Sequence, residues 1–128
     1  MTVKFKIFYP GGNPTALIDQ PIAAANRAGV AKSVMRRFPN IEQVGFVHDA
    51  PRKLAMMGGE LCVNAAGAAV CLWSRQSSNR SFRFRISGFE SAVSGKIHNS
   101  LTTLRLPRKI IVSSRQVPEG WLITLTGI

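Results

Sequence analysis

Apolar and polar residues alternate at the start of the chain. Val3, Phe5 and Ile7 are separated by Lys4 and Lys6, a period of two that predicts a half-buried strand. Pro10-Gly11-Gly12-Asn13-Pro14 interrupts it. The two glycines permit a close backbone approach, and Pro14 biases Asn13 toward an extended conformation. Thr15 to Ile18 reads as a second short strand. The period then lengthens, and a helix is expected over Pro21 to Phe38. Ala31, Val34, Met35 and Phe38 form its apolar stripe. Asp19 or Gln20 stands at the cap, Pro21 suits the first turn, and Arg36 and Arg37 suit the C-terminal end. Pro39-Asn40 ends it.

Gln43 to His48 and Leu54 to Met57 are predicted strands around an Asp49-Ala50-Pro51 turn, with one of Met56 and Met57 in the core and the other on the surface. Gly58-Gly59 leads into a second helix, expected from about Glu60 to Ser74. It is apolar on nearly every side, through Leu61, Val63, Ala65, Ala66, Ala68, Ala69, Val70, Leu72 and Trp73. Such a helix must be enclosed. After a polar loop at Ser77 to Arg80, Phe82, Phe84 and Ile86 alternate with Arg83 and Arg85. Lys96 to Asn99, Thr103 to Leu106, Ile110 to Ser113 and Trp121 to Leu125 are further strands. Turn signals stand at Gly88, Gly95, Pro107 and Pro118-Glu119-Gly120. The pattern implies an α+β fold with a curved antiparallel or mixed sheet wrapped around a central buried helix, in a single domain spanning 1–128.

Composition narrows the function classes. A hydrophobic content of 45 % is that of a globular chain, which excludes intrinsic disorder. The longest nearly apolar run, Leu61 to Trp73, is too short to span a bilayer, so no membrane association is expected. Met1 to Pro10 lacks the apolar stretch of a secretory signal, and a cytoplasmic protein with two free thiols is expected. The formal charge of +11 is compatible with nucleic acid, a small anionic substrate or an acidic partner surface. Lys4, Lys6, Arg83, Arg85 and Arg105 fall at alternate strand positions opposite the apolar set, the pattern of a solvated face. Phe82 and Phe84 share the inward register, so the exposed aromatics of a single-strand reader are lacking and nucleic acid is the disfavoured alternative. His48 and His98 have no ligand spacing, and no metal site is expected. Nor is there a context for a Schiff-base lysine, so no cofactor is expected.

The segment Met56-Met57-Gly58-Gly59-Glu60-Leu61-Cys62-Val63-Asn64-Ala65-Ala66 carries the candidate chemistry. A strand turns through two glycines into a helix whose first amides lack intrahelical partners and favour an anion. A cysteine in that first turn feels the same positive potential, which raises its thiolate fraction. A thiolate beside a carboxylate-binding helix end suits proton abstraction from the adjacent carbon. The plain alternative is a buried structural cysteine. Glu60 positions substrate or orients Cys62, and the plain alternative is an acidic residue that stabilises the helix end.

Gly58-Gly59-Glu60-Leu61-Cys62-Val63-Asn64-Ala65 resembles the cysteine motif of the diaminopimelate epimerase superfamily, above all its amino-acid racemase branch. Gly11-Gly12-Asn13-Pro14-Thr15-Ala16 resembles that superfamily's N-terminal substrate loop. Glu42-Gln43-Val44-Gly45-Phe46-Val47 fits the strand before the cysteine motif. The resemblance covers most of the chain and implies a fold of two similar domains, each a sheet around a central helix. It implies a racemase or epimerase that uses neither pyridoxal phosphate nor metal. It implies Cys62 as one acid/base and Asn13 and Asn64 as substrate ligands, with the amides near Asn64 and Ala65 holding the carboxylate; Gly12, Gly59 and Glu60 are further candidate substrate-binding residues. Val63 departs from an expected glycine, and Gly67 stands where an arginine is frequent.

Racemisation by two bases needs groups on opposite faces of Cα. Cys71 cannot partner Cys62: nine helical residues turn through about 900° and rise about 13.5 Å. Cys71 is expected in the core. The second acid/base is therefore expected from a complementary second domain or from a second copy, as in a homodimer, acting on a small amino-acid substrate. The alternative is a non-catalytic basic binding domain of the same fold.

Overall fold

The computed structural model describes residues 3–9, 13–99, 101–106, 111–117 and 120–126. Among these described residues nine strands and two helices follow one another: β1 Lys6–Phe8, β2 Thr15–Ile18, α1 Ala24–Arg37, β3 Gln43–Asp49, β4 Arg52–Met56, α2 Val63–Gln76, β5 Ser81–Ile86, β6 Val93–His98, β7 Leu101–Arg105, β8 Ile111–Val117 and β9 Gly120–Thr126. The strands form one sheet in sequence order. β2 and β3 pair in parallel, as do β4 and β5, and all other pairs are antiparallel. The two parallel pairs are the two places where a helix intervenes, because a parallel neighbour needs a long crossover and a hairpin cannot supply it.

The central helix is α2. Ala65 to Val70, Leu72 and Trp73 are all buried, and the helix packs on β3, β5, β6 and β7. Small residues on most of its faces let strands approach from several directions. At Gly95 in β6 an added Cβ would lie 2.5 Å from Val70 Cγ2. Only a residue without a side chain admits the helix that closely. Trp73 lies edge-on to Phe84 at 4.9 Å between ring centroids, and its indole Nε1 donates to Asp49 Oδ1 at 3.0 Å. The polar edge of the largest core residue is thereby satisfied.

β2 and β3 are buried on both faces. Leu17 and Val47 join the α2 core. Ala16, Ile18, Val44 and Phe46 face the other way and pack with Ala31 and Val34 of α1. This second layer explains why all four residues of β2 are buried, as expected of parallel strands covered on both sides.

The expected α+β arrangement, a mixed sheet around a central buried helix, is the observed one, with local differences. α1 begins at Ala24 rather than Pro21, and Ala23 occupies the cap position without a side-chain hydrogen bond. Asp19 instead accepts from Gln76 Nε2 at 2.8 Å, so it fastens the end of α2. Val3 and Phe5 pack against the second cluster, but Ile7 is exposed and Phe8 is buried in the α2 core. The expected alternation thus slips where the chain enters β1. Gly95 lies within a strand and is not a turn. Gly88 is a turn residue, with φ +79°. Met56 is core, whereas Met57 lies just past β4 and packs half-buried on the α1 side. Pro107 and Pro118-Glu119 lie outside the described residues.

Candidate functional site

The tip of α2 is held by its two neighbouring turns. After β4 the chain bends at Met57-Gly58-Gly59, with Gly59 at φ +75°, a left-handed conformation natural to glycine. Ser87 Oγ accepts from the Met56 amide at 3.0 Å and donates to the Glu60 carbonyl at 2.6 Å. Gly88 stacks directly on Leu61: a Cβ there would lie 2.5 Å from the Leu61 nitrogen. The β5–β6 turn therefore clamps the residues immediately before Cys62.

Cys62 is the N-cap of α2, with extended backbone angles of −131° and 105°. Its Sγ accepts the Ala65 amide at 3.4 Å, and its carbonyl accepts the Ala66 amide at 3.1 Å. The sulfur thus takes the place usually held by a Ser, Thr, Asp or Asn oxygen. The helix is shorter at this end than the sequence pattern implies. It starts at Val63, not Glu60, because the Gly58-Gly59 bend and the Ser87 contacts hold Glu60 and Leu61 outside the helix.

A chain of hydrogen bonds runs from the sulfur into the sheet. The Cys62 thiol donates to Gln43 Oε1 at 3.3 Å. Gln43 Nε2 donates to Thr15 Oγ1 at 2.7 Å, and the Thr15 hydroxyl donates to the Asn13 carbonyl at 3.1 Å. Thr15 is fully buried at the start of β2, directly beside Gln43 at the start of β3. The candidate thiol and the candidate substrate loop are therefore joined through two adjacent parallel strands.

Asn13 and Ala65 bond to the two ends of this chain, whereas Gly59 and Asn64 adjoin Cys62 in sequence. Asn13 is exposed and contributes its backbone carbonyl. Gly59 is exposed in the bend. Asn64 is half-buried in the first turn of α2, where its amide and that of Val63 have no intrahelical acceptor. The Ala65 amide is directed at the Cys62 sulfur, so it is the thiol's partner rather than an open anion donor. Glu60 is exposed and lies outside the helix, so it is no first-turn acid. Gly12 falls outside the described residues. Val63, at the position where glycine was expected, packs half-buried against the main core. Gly67 is buried within α2.

Three residues of this arrangement, Thr15, Gln43 and Ser87, were not singled out as site residues. Two of them left a trace in the sequence: Thr15 follows the Asn13-Pro14 loop, and Gln43 is the polar first residue of an otherwise apolar strand. Ser87 left none, because its role depends on a contact across 27 residues with Glu60.

Cys71 lies half-buried against the α2 core. Burial pushes its thiol above the ordinary value, against a weaker opposing effect of Arg75. Among the described residues no group of three His, Cys, Asp or Glu side chains could hold a metal ion. His48 pairs with Arg27 at 3.2 Å. Two open depressions lie away from Cys62. One, of about 850 Å³, runs between Val3, Phe5 and α1, and the other, of about 460 Å³, is on the outer face of β5 to β7. No helix among the described residues is long and apolar enough to cross a membrane.

Residues 2–120 match the family model described as the histidine racemase CntK N-terminal domain. The chain belongs to this family. A curated relative, the histidine racemase of Fusobacterium nucleatum subsp. nucleatum, is 29 % identical over 134 aligned positions, which include 93 % of this chain. The chain spans about half of that relative, 49 % of its length. A crystal structure of a phenazine biosynthesis PhzF family protein from Enterococcus faecalis superposes with a TM-score of 0.61 over 91 % of this chain and 55 % of that one, at 15 % identity. At that identity the likeness is one of fold, and it bears out the α+β architecture. The Gly58-Gly59 bend, the Cys62 cap and Asn13 all lie within the matched residues.

Proposed function

We propose that this chain supplies one half of a cofactor-independent amino-acid racemase site, with Cys62 as one of its two acid/base groups. The observation that carries the reading is the position of Cys62 Sγ at the N-terminal tip of the enclosed helix α2. There it is hydrogen-bonded to the Ala65 amide and to Gln43. The name of the curated relative makes histidine the first substrate to test.

In the proposed reaction the substrate carboxylate lies against the first amides of α2, at Val63 and Asn64, where the helix end favours negative charge. Asn13 of the loop, with Gly59 and Glu60, lines the remainder, and Gly12 is a candidate on its sequence alone. The Cys62 thiolate removes the Cα proton. The C–H bond breaks, an S–H bond forms, and the electron pair spreads into the carboxylate. A second acid on the opposite face protonates Cα, and the configuration inverts. For the other enantiomer the roles reverse, and Cys62 is then the acid. The polarity of its hydrogen bonds, donating to Gln43 and accepting from Ala65, leaves the sulfur placed for either role.

The second group comes from a complementary domain or from a second copy of this chain. Cys71 is excluded, since it lies nine residues further along the same helix, about 13.5 Å in rise and half a turn away. Light scattering at micromolar concentration separates the two sources: a homodimer supports self-complementation, and a monomer rules it out.

The test is deuterium incorporation at Cα of histidine in deuterated water, followed by proton NMR. Wild type is expected to exchange. Cys62→Ser is expected to lose about 10²-fold or more, the usual worth of a general base. If wild type exchanges no amino acid, alone or with a complementary domain, the proposal fails.

A further inference from the structure

The outer face of the sheet, turned away from α2, carries a second feature independent of Cys62. Strands β4 to β9 contain no Asp or Glu. Lys53, Arg83, Arg85, Lys96, Arg105 and Arg115 are all exposed on them, and the register sets the first five in neighbouring rows. Lys53 pairs with Arg85. Arg83 pairs with Ser94, which pairs in turn with Arg105. In the next row Ser81, Lys96, Thr103 and Ser113 stand side by side. Hydrogen-bonded strands lie about 4.8 Å apart, so the backbones carrying Arg83 and Arg105 are about 10 Å apart across Ser94. Between them lies the depression of about 460 Å³, lined by Arg83, Lys96, Arg105 and the hydroxyls of Ser81, Ser94 and Thr103. Among the described residues none of the six cations forms a salt bridge. Arg85 does donate to the Glu90 backbone carbonyl at 2.6 Å.

Cations interleaved with hydroxyls are the donors that hold phosphate oxygens. The patch extends from β4 to β8, four strand spacings or about 19 Å, which suits an extended polyanion better than a compact one. Recognition of unpaired bases needs exposed aromatic rings, and both aromatics of β5, Phe82 and Phe84, are buried against Trp73. We propose that this face binds the phosphate backbone of duplex nucleic acid without reading its sequence. The net charge of +11 adds long-range attraction.

The experiment is fluorescence anisotropy of the purified chain with a labelled duplex of about 20 base pairs, at several salt concentrations. Six phosphate contacts predict a loss of affinity of roughly 10³-fold between 50 and 200 mM salt, from a slope of about −0.9 per contact. Arg83→Gln/Arg105→Gln removes two contacts. It should flatten the slope by about 1.8 and reduce that loss to roughly 10²-fold. Lys96→Gln alone should flatten it by about 0.9. Lys32→Gln/Arg36→Gln removes the same charge from exposed positions of α1 and should leave the slope unchanged. Urea melts confirm that each variant is folded. Equal flattening by the α1 pair, no detectable duplex binding at 50 mM salt, or preferential displacement of the duplex by a polyglutamate peptide of matched charge would each overturn the proposal. None of these readouts depends on Cys62 or on racemase activity.

Discussion

Gly88 and Gly59 provide a matched pair for testing how the Cys62 segment is held. Both have positive φ, +79° and +75°. Their surroundings differ. A Cβ at Gly59 meets nothing within 4 Å, whereas at Gly88 it would lie 2.5 Å from the Leu61 nitrogen and 3.0 Å from Leu61 Cα. Substitution by Ala at either site incurs the left-handed backbone cost of about 1–2 kcal/mol, partly offset by about 0.4–1 kcal/mol from stiffening the unfolded chain. These contributions are common to both and cancel in the comparison. Gly88→Ala carries an additional overpacking cost, about 1–3 kcal/mol, that backbone movement at Leu61 must absorb. With a urea slope of about 1.5 kcal/mol per molar, the midpoint of Gly88→Ala should fall below that of Gly59→Ala by roughly 0.7–2 M. Because Leu61 precedes Cys62, Gly88→Ala should also change the rate at which Cys62 is alkylated by iodoacetamide. Equal midpoints for the two variants, with unchanged alkylation, would refute the clamp.

Cys62 should be alkylated before Cys71, as peptide mapping after brief labelling near neutral pH will show. Burial raises the Cys71 thiol above its ordinary 9.0, so the unfolded chain ionises first. Its contribution to stability is complete below about pH 9 and is lost as pH rises further; Cys71→Ala should lessen that alkaline loss in urea melts across pH 8–11. Trp73→Phe removes the 3.0 Å bond to Asp49 along with buried volume, and should cost about 2 kcal/mol by urea unfolding. Gln43→Leu removes both the acceptor for the Cys62 thiol and the donor to buried Thr15. It should cost about 1–2 kcal/mol and lower histidine Cα exchange in deuterated water, while Gln43→Asn retains part of the stability but not the reach.

Much of the core was legible because periodicity reports burial directly. The alternation at Phe82, Phe84 and Ile86 and the all-round apolar character of α2 needed no tertiary knowledge. The second layer was less visible. Val44, Phe46 and Val47 in succession reveal burial on both faces only once α1 is known to cover β2 and β3. Capping also misled: Asp19 and Gln20 look like N-caps of α1, but Asp19 is drawn to Gln76, 57 residues away. At the candidate site, Cys62 and its glycine bend were readable from local pattern. The link to Gln43 and Thr15 was not, since it arises from parallel pairing across the β2–α1–β3 crossover. Gly95 was misread because a glycine that opens a turn and one that admits a neighbouring helix look alike in sequence.

The arginines of β5 also bear on how the chain finds its pairing. Side chains on a strand change sides with every residue, so a slip of β5 by one position would drive Arg83 and Arg85 against α2 and turn Phe82 and Phe84 to water. Two unpartnered guanidiniums in an alkyl interior are prohibitively costly. The misaligned hairpin is therefore disfavoured from the moment β5 meets β6, and the same positive charges discourage edge-to-edge association while the strands are still unpaired.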